Sequence, residues 1–369
     1  MTIDRLILTN FKNYAEADIE LCKGINCFVG NNGAGKTNIL DAVYYLSFCK
    51  SHFNPVDMQN IRFGEDYFAV HGHYGADVAS CIVRRGKGKE MRWNKKACRT
   101  LAEHIGRLPL VMVSPADQTL ITGGSDLRRK LVDSILSQTD HPYLEHLLAY
   151  QKALDQRNRL LKQMWDDRMW DETMVALWDE QLCKHGDPIG QARCAFIDEF
   201  NPLFAHYYRY IAGRDEPGTL VYQHDDRPLL LQLEGSRQAD KYAQYTTCGP
   251  HKDDVLFLLS DTTDDGVSIK RFGSQGQQKS FALALKLAQF KYIEQHCGQK
   301  PILLLDDIFD KLDMQRVKQL IRLVGSSDFG QVLLTDTQLG RVEAIFDELP
   351  ALDHKIFDVE NGRVSVSNS

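Results

Sequence analysis

Apolar and polar positions alternate over residues 2–8 and again over 17–21, with Ile3, Leu6 and Leu8, then Ala17, Ile19 and Leu21, on one side. That spacing predicts two half-buried strands, because successive side chains of a strand point to opposite faces. "INCFVG" at 25–30 is instead an unbroken apolar run, the pattern of a strand covered on both faces. It leads straight into the glycine-rich "GNNGAGKTN", after which Ile39, Leu40, Val43 and Leu46 recur at helical spacing. Residues 66–74 and 77–85 predict a strand pair turning at Gly75-Ala76, and Arg85-Gly86-Lys87-Gly88-Lys89 a tip that returns the chain towards Met91–Trp93.

After "PLVMVSP" the period changes. Leu144, Leu147, Leu148, Gln151, Leu154 and Leu161 keep a spacing of three and four, so residues 125–212 predict a few antiparallel helices, with breaks expected near Gly186-Asp187-Pro188 and Asn201-Pro202. Strand patterns return at "TLVYQH" and "DVLFLLS". The last third reads strand, helix, strand through "PILLLDD", "DMQRVKQLIRLV" and "QVLLTDT". The simplest architecture is an α/β lobe built from 1–115 and 245–369, interrupted by a helical insertion over 116–244. No repeat, low-complexity tract or sustained heptad pattern appears.

Composition changes this picture little. The chain has 369 residues, 43% hydrophobic and 25% charged, which suits a soluble globular protein of about two domains. Met1-Thr2-Ile3-Asp4-Arg5 lacks an apolar secretory core and no stretch reaches the roughly 20 apolar residues of a membrane span, so a cytoplasmic protein without a membrane partner is expected. Nine cysteines without a C-x-x-C pair read as reduced thiols and make a zinc site an unexpected feature. His71 and His73 share a strand face but lack a third ligand nearby, and are read as structural. A net charge of −6 argues against indiscriminate nucleic-acid binding, yet leaves room for a local basic face.

The candidate chemistry sits at strand ends. Gly30, Asn31, Asn32, Gly33, Ala34, Gly35, Lys36 and Thr37 satisfy G-x-x-x-x-G-K-[ST], with a buried strand before and a helix, starting near Asn38, after. Glycines let successive N–H groups converge on phosphates, Lys36 places a cation at the β/γ oxygens, and Thr37 offers a hydroxyl to Mg²⁺. Asp306 and Asp307 stand at the carboxyl end of a second buried strand, where α/β sheets place ligands. Asp306 is expected to hold the metal, directly or through water, and Asp307 to polarise an attacking water. In "FGSQGQQKSFALALKLAQ" at 272–289 a polar tip opens a buried helix, whose free N–H groups suit a second phosphate contact. One phosphate loop already serves the chain's own nucleotide, so this tip is expected to reach ATP bound by another copy.

The order of these elements resembles the ABC-type ATPase heads of the SMC class, and more closely the RecF family of bacterial recombination mediators. The residues that carry the likeness are "LTNFKNY" at 8–14, "GNNGAGKTNILDAVYYLS" at 30–47 and "GGSDLRRKLVD" at 123–133. They continue with "YQKALDQRNRLLK" at 150–162, "GPHKDD" at 249–254, "SQGQQKSFALALKLAQ" at 274–289 and "LLLDDIFDKLD" at 303–313. The resemblance implies ATP and Mg²⁺ as cofactors, held by the 30–38 loop and Asp306, with Asp307 where many ABC ATPases carry a catalytic glutamate. It implies that Ser274, Gly276 and Gln277 face the partner's γ-phosphate, with Asp313 at the dimer seam and Asn10, Phe11 and Lys12 near base and ribose. It further implies an ATP-dependent homodimer on duplex DNA beside single-stranded gaps, RecR as a partner, and a link to RecO and RecA.

Two departures from that pattern stand out. Asp336 occupies the usual position of a switch histidine, and the Q-loop residue is either Ser114 or Gln118. Both, with the short Asp307, imply slow hydrolysis, a DNA-stimulated switch rather than a motor. His251 in "GPHKDD" is expected near the nucleotide or the lobe junction. Three basic clusters are candidates for phosphate contact, though charge runs are more often plain surface: Arg84, Arg85, Lys87 and Lys89; Lys95, Lys96 and Arg99; and Arg128, Arg129 and Lys130. The competing reading is an SMC-like structural ATPase without a role in loading RecA. A transporter motor fits the long separation of phosphate loop and S-x-G-Q tip less well, and an ATPase–nuclease would be expected to carry a further acidic metal-binding domain after the head.

Overall fold

The computed structural model describes residues 1–213, 216–260, 266–308 and 314–367. It divides into two compact units, Met1–Asp117 with Gln289–Ser369, and Gln118–Ala288. Residues 245–288, assigned from sequence to the α/β lobe, therefore belong with the helical unit. The reason is the strand "DVLFLLS", which finds its partner there.

In the first unit β1 (Arg5–Phe11) and β2 (Tyr14–Glu20) form a hairpin, followed by β3 (Ile25–Val29) and α1 (Lys36–Phe48). β4 (Tyr67–Tyr74), β5 (Asp77–Arg84), β6 (Gly88–Trp93) and β7 (Lys96–Ala97) complete an antiparallel sheet of order β2-β1-β4-β5-β6-β7. Leu6, Leu8, Phe68, Val70, Cys81 and Val83 turn inward from it onto α1, whose Leu40, Val43 and Leu46 are buried. β8 (Leu110–Val113) ends this stretch and belongs to the second sheet.

The second unit begins with α2 (Gln118–Thr122), α3 (Ser125–Thr139), α4 (His141–Asp166) and α5 (Glu172–Ala212). α5 runs unbroken through Pro188 and Pro202, where breaks were expected. A helical proline costs about 3 kcal/mol. Each buried Leu, Ile or Phe of the stripe Leu182, Ile189, Phe196, Phe200 and Phe204 returns roughly 1.5–3 kcal/mol, so packing outweighs the two prolines. β9 (Thr219–Gln223), α6 (Leu229–Ala243), β10 (Asp254–Leu259), β11 (Val267–Ser268) and α7 (Ile269–Phe272) follow, the strands in the order β11-β10-β9.

α8 (Gln275–Cys297) starts in the second unit and ends in the first. Phe281, Ala284, Leu285, Leu287, Ala288, Phe290 and Ile293 are buried, covering all sides of the helix. β12 (Ile302–Leu305), α9 (Met314–Val324), β13 (Val332–Asp336), α10 (Leu339–Asp347), β14 (His354–Glu360) and β15 (Arg363–Val366) return the chain to the first unit. Their sheet has the order β15-β14-β3-β13-β12-β8, parallel from β14 to β8 with β15 antiparallel at the edge. The parallel strands read as continuous apolar runs because both faces are covered. Their carboxyl ends bring the 30–37 loop, Asp306 and Asp336 to one rim. None of the described helices is long and apolar enough to cross a membrane.

Candidate functional site

The loop after β3 is shaped by its glycines and by the β1–β2 turn. Gly35 has φ 116°, and a Cβ there would lie 2.4 Å from Asn13 Nδ2. Only glycine lets the backbone pass at that point. Asn13 Nδ2 donates to Ala34 O (3.0 Å), Tyr14 Oη to Gly35 O (3.1 Å), and Asn38 Nδ2 to Asn13 Oδ1 (2.8 Å). Asn38, expected among the nucleotide contacts, thus fastens the loop to the hairpin through its side chain. The Lys36 ammonium arches over the loop, donating to Gly30 O (2.7 Å) and Asn31 O (3.0 Å). α1 starts here with no acidic residue in its first turn, so its N-terminal partial charge is left for an anion.

Asp306 lies directly across. Thr37 Oγ1 donates to Asp306 Oδ1 at 2.8 Å, and Thr335 Oγ1 to the same oxygen at 2.9 Å. The Asp307 N–H donates to Thr335 Oγ1 (2.9 Å), joining the ends of β12 and β13. Burial pushes the Asp306 carboxyl above its usual range. The two hydroxyl donors and Lys36 oppose that shift, while the Asp307 charge adds to it. Asp307 has φ 48°, a left-handed backbone that costs a non-glycine residue stability and is found where geometry serves a site. Thr37 and Asp306 present hard oxygens at hydrogen-bond distance. While the Thr37 hydroxyl donates to Asp306, its lone pairs remain free to ligate, so the pair fits Mg²⁺. Thr335 was not singled out from sequence. The signal available was only its position in a strand-end motif next to Asp336.

Asp336 itself does not face the loop with its carboxylate. It is fully buried and accepts from the Thr337 N–H (2.5 Å), the Gln338 N–H (3.0 Å) and Arg341 Nε (2.9 Å), with Arg341 Nη2 also bound. Its acidic side chain is therefore a structural anchor at the start of α10, and only its backbone O meets the loop, at the Gly30 N–H (3.3 Å). Ser114 follows β8, whose last residue Val113 accepts the Asp306 N–H at its carbonyl O (2.8 Å). The Ser114 Oγ is buried without a hydrogen-bond partner among the described residues. Gln118, the other Q-loop candidate, opens α2 in the second unit.

Of the residues expected near base and ribose, Phe11 is fully buried against Tyr45 and Phe68 as part of the core. Lys12 is held by Asp41 (2.6 Å), and Asn10 by Glu65 (3.3 Å). Asn13, one residue on, is what touches the loop.

Ser274 and Gln277 form a reciprocal cap at the start of α8. The Ser274 N–H donates to Gln277 Oε1 (2.9 Å), and the Gln277 N–H to Ser274 Oγ (3.2 Å). Gln277 also reaches Glu216 (3.4 Å). Ser274, Gln275 and Gly276 are exposed, so the cap presents its tip to solvent. Asp313 lies outside the described residues.

The segments "YQKALDQRNRLLK" at 150–162 and "GPHKDD" at 249–254 meet through Thr246 in one hydrogen-bond network. Arg157 is fully buried and bonds Asp179 (2.8 Å), Asp240 (2.7 Å) and Thr246 (2.9 Å). Asn158 accepts from the Thr246 N–H and hydroxyl, both at 2.8 Å. His251 lies between Tyr150 Oη (2.8 Å) and Thr246 O (3.1 Å), and burial lowers its pKa to about 4. Both hydrogen-bond partners of His251 thus belong to the helical unit, and its role there is packing. The basic candidates also divide. Arg128 makes a bidentate pair with Asp254 (2.7 and 2.8 Å) and Arg129 bonds Asp253 O, so both are internal struts. Lys89 is tied to Asp57 (2.8 Å). Arg85 and Lys87 remain exposed at the β5–β6 tip, while Lys95, Lys96 and Arg99 follow at the opposite end of that hairpin.

A phosphate loop, a buried carboxylate at the end of the next-but-one strand of a parallel sheet, and an S-x-G-Q cap at the start of α8 are the elements of an SMC-type ATPase head. The sequence profile of the RecF/RecN/SMC N terminal domain matches residues 2–354. An Smc head bound to the C-winged helix domain of ScpA shares the fold, with a TM-score of 0.59 at 17% identity over 100% of this chain and 97% of that one. The chain belongs to the RecF family. It is 43% identical to the DNA replication and repair protein RecF of Phocaeicola vulgatus, over 99% of this chain and 98% of that protein. It is 44% identical to the RecF of Flavobacterium johnsoniae, over 94% and 96%. The recombination mediator protein RecF of the RecFOR pathway, in structures described as RecF-ATPrS and RecF-ATP, superposes with TM-scores of 0.89 and 0.88. Both are 27% identical and cover 99% of this chain, and 98% and 97% of theirs.

Proposed function

We propose that the chain is an ATP-dependent DNA-binding protein of recombinational gap repair in the cytoplasm. ATP closes two copies into a clamp on duplex DNA beside a single-stranded gap, and slow DNA-stimulated hydrolysis releases it. The observation that carries this reading is the Thr37–Asp306 hydrogen bond from the first turn of α1 to the end of β12, at a helix N-terminus free of acidic residues. Lys36 leaves the carbonyls of Gly30 and Asn31 for the β- and γ-phosphate oxygens, which offer a charged acceptor in place of neutral ones. Thr37 and Asp306 would hold Mg²⁺, which when bound would neutralise developing phosphate charge. Thr335 keeps Asp306 and the Asp307 backbone in register, and Asp307 takes the proton of the attacking water.

The exposed tip at Ser274 and Gly276 meets the γ-phosphate of the partner's nucleotide, the Ser274 hydroxyl and helix N–H groups supplying donors. Arg85 and Lys87 are the basic residues best placed for sequence-independent phosphate contact. RecR is the proposed protein partner, with RecO and the loading of RecA downstream. The competing reading, a structural SMC-like ATPase, needs long arms. The α4–α5 hairpin offers 26 residues on its shorter helix, about 39 Å at 1.5 Å per residue, a stub by comparison.

Light scattering with Mg²⁺-ATP or ADP, with and without a gapped duplex, tests the proposal. A monomer that dimerises with ATP alone and then retains DNA is the expected result. Ser274→Arg is expected to bind ATP but stay monomeric. A nucleotide-indifferent monomer, or a Ser274→Arg dimer, would sink the clamp.

A further inference from the structure

The end of the α4–α5 hairpin carries a cavity that the nucleotide chemistry does not use. Met164, Trp165, Arg168, Met169, Trp170 and Lys241 line it, and it encloses about 430 Å³, within the range of small-ligand and peptide side-chain pockets. Its floor is fixed: Met164 packs with Leu161 and Val175 in a small core of its own, and Trp170 is pinned by Nε1–H to Glu172 (2.6 Å). Its rim is not covered. Trp165 is 42% exposed, Met169 72%, and Tyr242, whose ring meets that of Trp165 edge-on, 72%. A cluster of exposed indole and thioether groups on a solvent-facing hairpin is costly to leave wet, and Trp, Met and Arg are the residue types enriched where proteins dock.

Charge selects the occupant. Both charged lining residues are cations. Lys241 Nζ lies 5.1 Å above the Trp170 ring, and Arg168, held with φ 53° just past the helix end, is exposed. The nearby acids are otherwise engaged or turned to other tasks. Asp171 caps α5 through the Thr173 and Met174 N–H groups, and Glu172 is shared by Trp170 and Arg237. We propose that this cavity receives a short acidic segment of a partner protein, its apolar side chain entering among Trp165, Met169 and Trp170 and its carboxylate meeting Arg168 and Lys241. Indole faces beside cations also suit unpaired bases. A nucleic-acid strand, however, carries a charge at every nucleotide, and only two cations line the cavity to meet it. A peptide needs only one or two carboxylates at the two cations.

The test uses the full chain without nucleotide, so its outcome is independent of the clamp. A phage-displayed random-peptide library is panned on the wild-type chain, and recovered peptides are resynthesised with fluorescein for anisotropy. Enrichment of sequences pairing Asp or Glu with an adjacent aromatic or leucine is expected. Binding should weaken about tenfold or more in Arg168→Glu/Lys241→Glu and in Met169→Asp. Both variants should keep wild-type melting and nucleotide binding, since these side chains lie at the rim. Failure to enrich acidic–apolar peptides, or affinities that ignore both variants, would overturn the proposal. So would fluorescein-labelled oligothymidylate binding that is lost in Trp165→Ala while peptides are ignored, which would make the pocket a base-stacking platform.

Discussion

Two buried polar clusters, one in each unit, have opposite electrostatic designs. In the helical unit the Arg157 guanidinium sits between the carboxylates of Asp179 and Asp240, with Thr246 bonded to it and Arg237 reaching Asp179. Cations and anions there nearly match. At the strand ends of the first unit, Asp306 receives only two hydroxyls, and no basic side chain among the described residues forms a salt bridge to it. Burial raises its pKa against the opposing pull of the two hydroxyls and the nearby Lys36 charge, since no cation bonds it directly to offset its desolvation. The closed cluster holds structure. The open one is the cluster for which a ligand-borne cation is proposed.

The largest break in this comparison comes from opening the closed cluster. Asp240→Ala strips Arg157 of one partner and leaves the Thr247 N–H and hydroxyl, both bonded to Asp240, without an acceptor. A loss of about 3–5 kcal/mol is expected in urea unfolding. Lys36→Ala comes next. It should weaken ATP binding by about a hundredfold or more, read with a fluorescent ATP analogue, since a charge-assisted contact to phosphate is lost. Asp306→Asn then inverts the usual expectation. Removing a buried, unpaired charge should leave the melting temperature at neutral pH unchanged or higher, while abolishing the Mg²⁺ dependence of nucleotide binding. A sharp fall in melting temperature would mean that Asp306 is stabilised by its setting and that the contrast between the clusters is wrong.

Much of the open cluster was legible because phosphate chemistry imposes spacing. The 30–37 loop and the Asp306–Asp307 pair each follow a buried strand, and strand ends of a parallel sheet meet at one rim. What sequence missed was the second layer. Asn13 and Thr335 act through single hydrogen bonds that only the β1–β2 turn and the β12–β13 register bring together. The closed cluster was legible only as motif: "QRN" at 156–158 and "GPHKDD" at 249–254 are joined by Thr246, about ninety positions along the chain from Asn158. Pro188 and Pro202 misled for the converse reason. Local propensity argued for breaks, and a buried stripe along a 41-residue helix overrode it.

Acid titration sharpens the comparison from the helical side. His251 is neutral in the folded protein down to a pKa of about 4, against an ordinary 6.5. Between those values the unfolded chain binds the extra proton, so stability should fall as pH drops through that window. His251→Gln should flatten the fall in a pH series of urea midpoints. His104, also lowered to about 4 by burial, will keep some of the slope in the first unit.

The smallest and most discriminating change is Thr335→Val. It keeps the volume and the β-branched fit of β13 but deletes the hydroxyl that donates to Asp306 Oδ1 and accepts from the Asp307 N–H. About 1 kcal/mol of stability should be lost, the worth of an ordinary hydrogen bond. The effect on function should be larger than on folding. With one donor fewer, the Asp306 carboxyl moves still further above its usual range, so Mg²⁺-dependent ATP binding should weaken most at mildly acidic pH and recover as pH rises. Thr335→Ser restores the hydroxyl and should restore the wild-type pH profile, even though it packs worse. If serine and valine gave the same profile, Thr335 would be a packing residue, and the open cluster would consist of Thr37 and Asp306 alone.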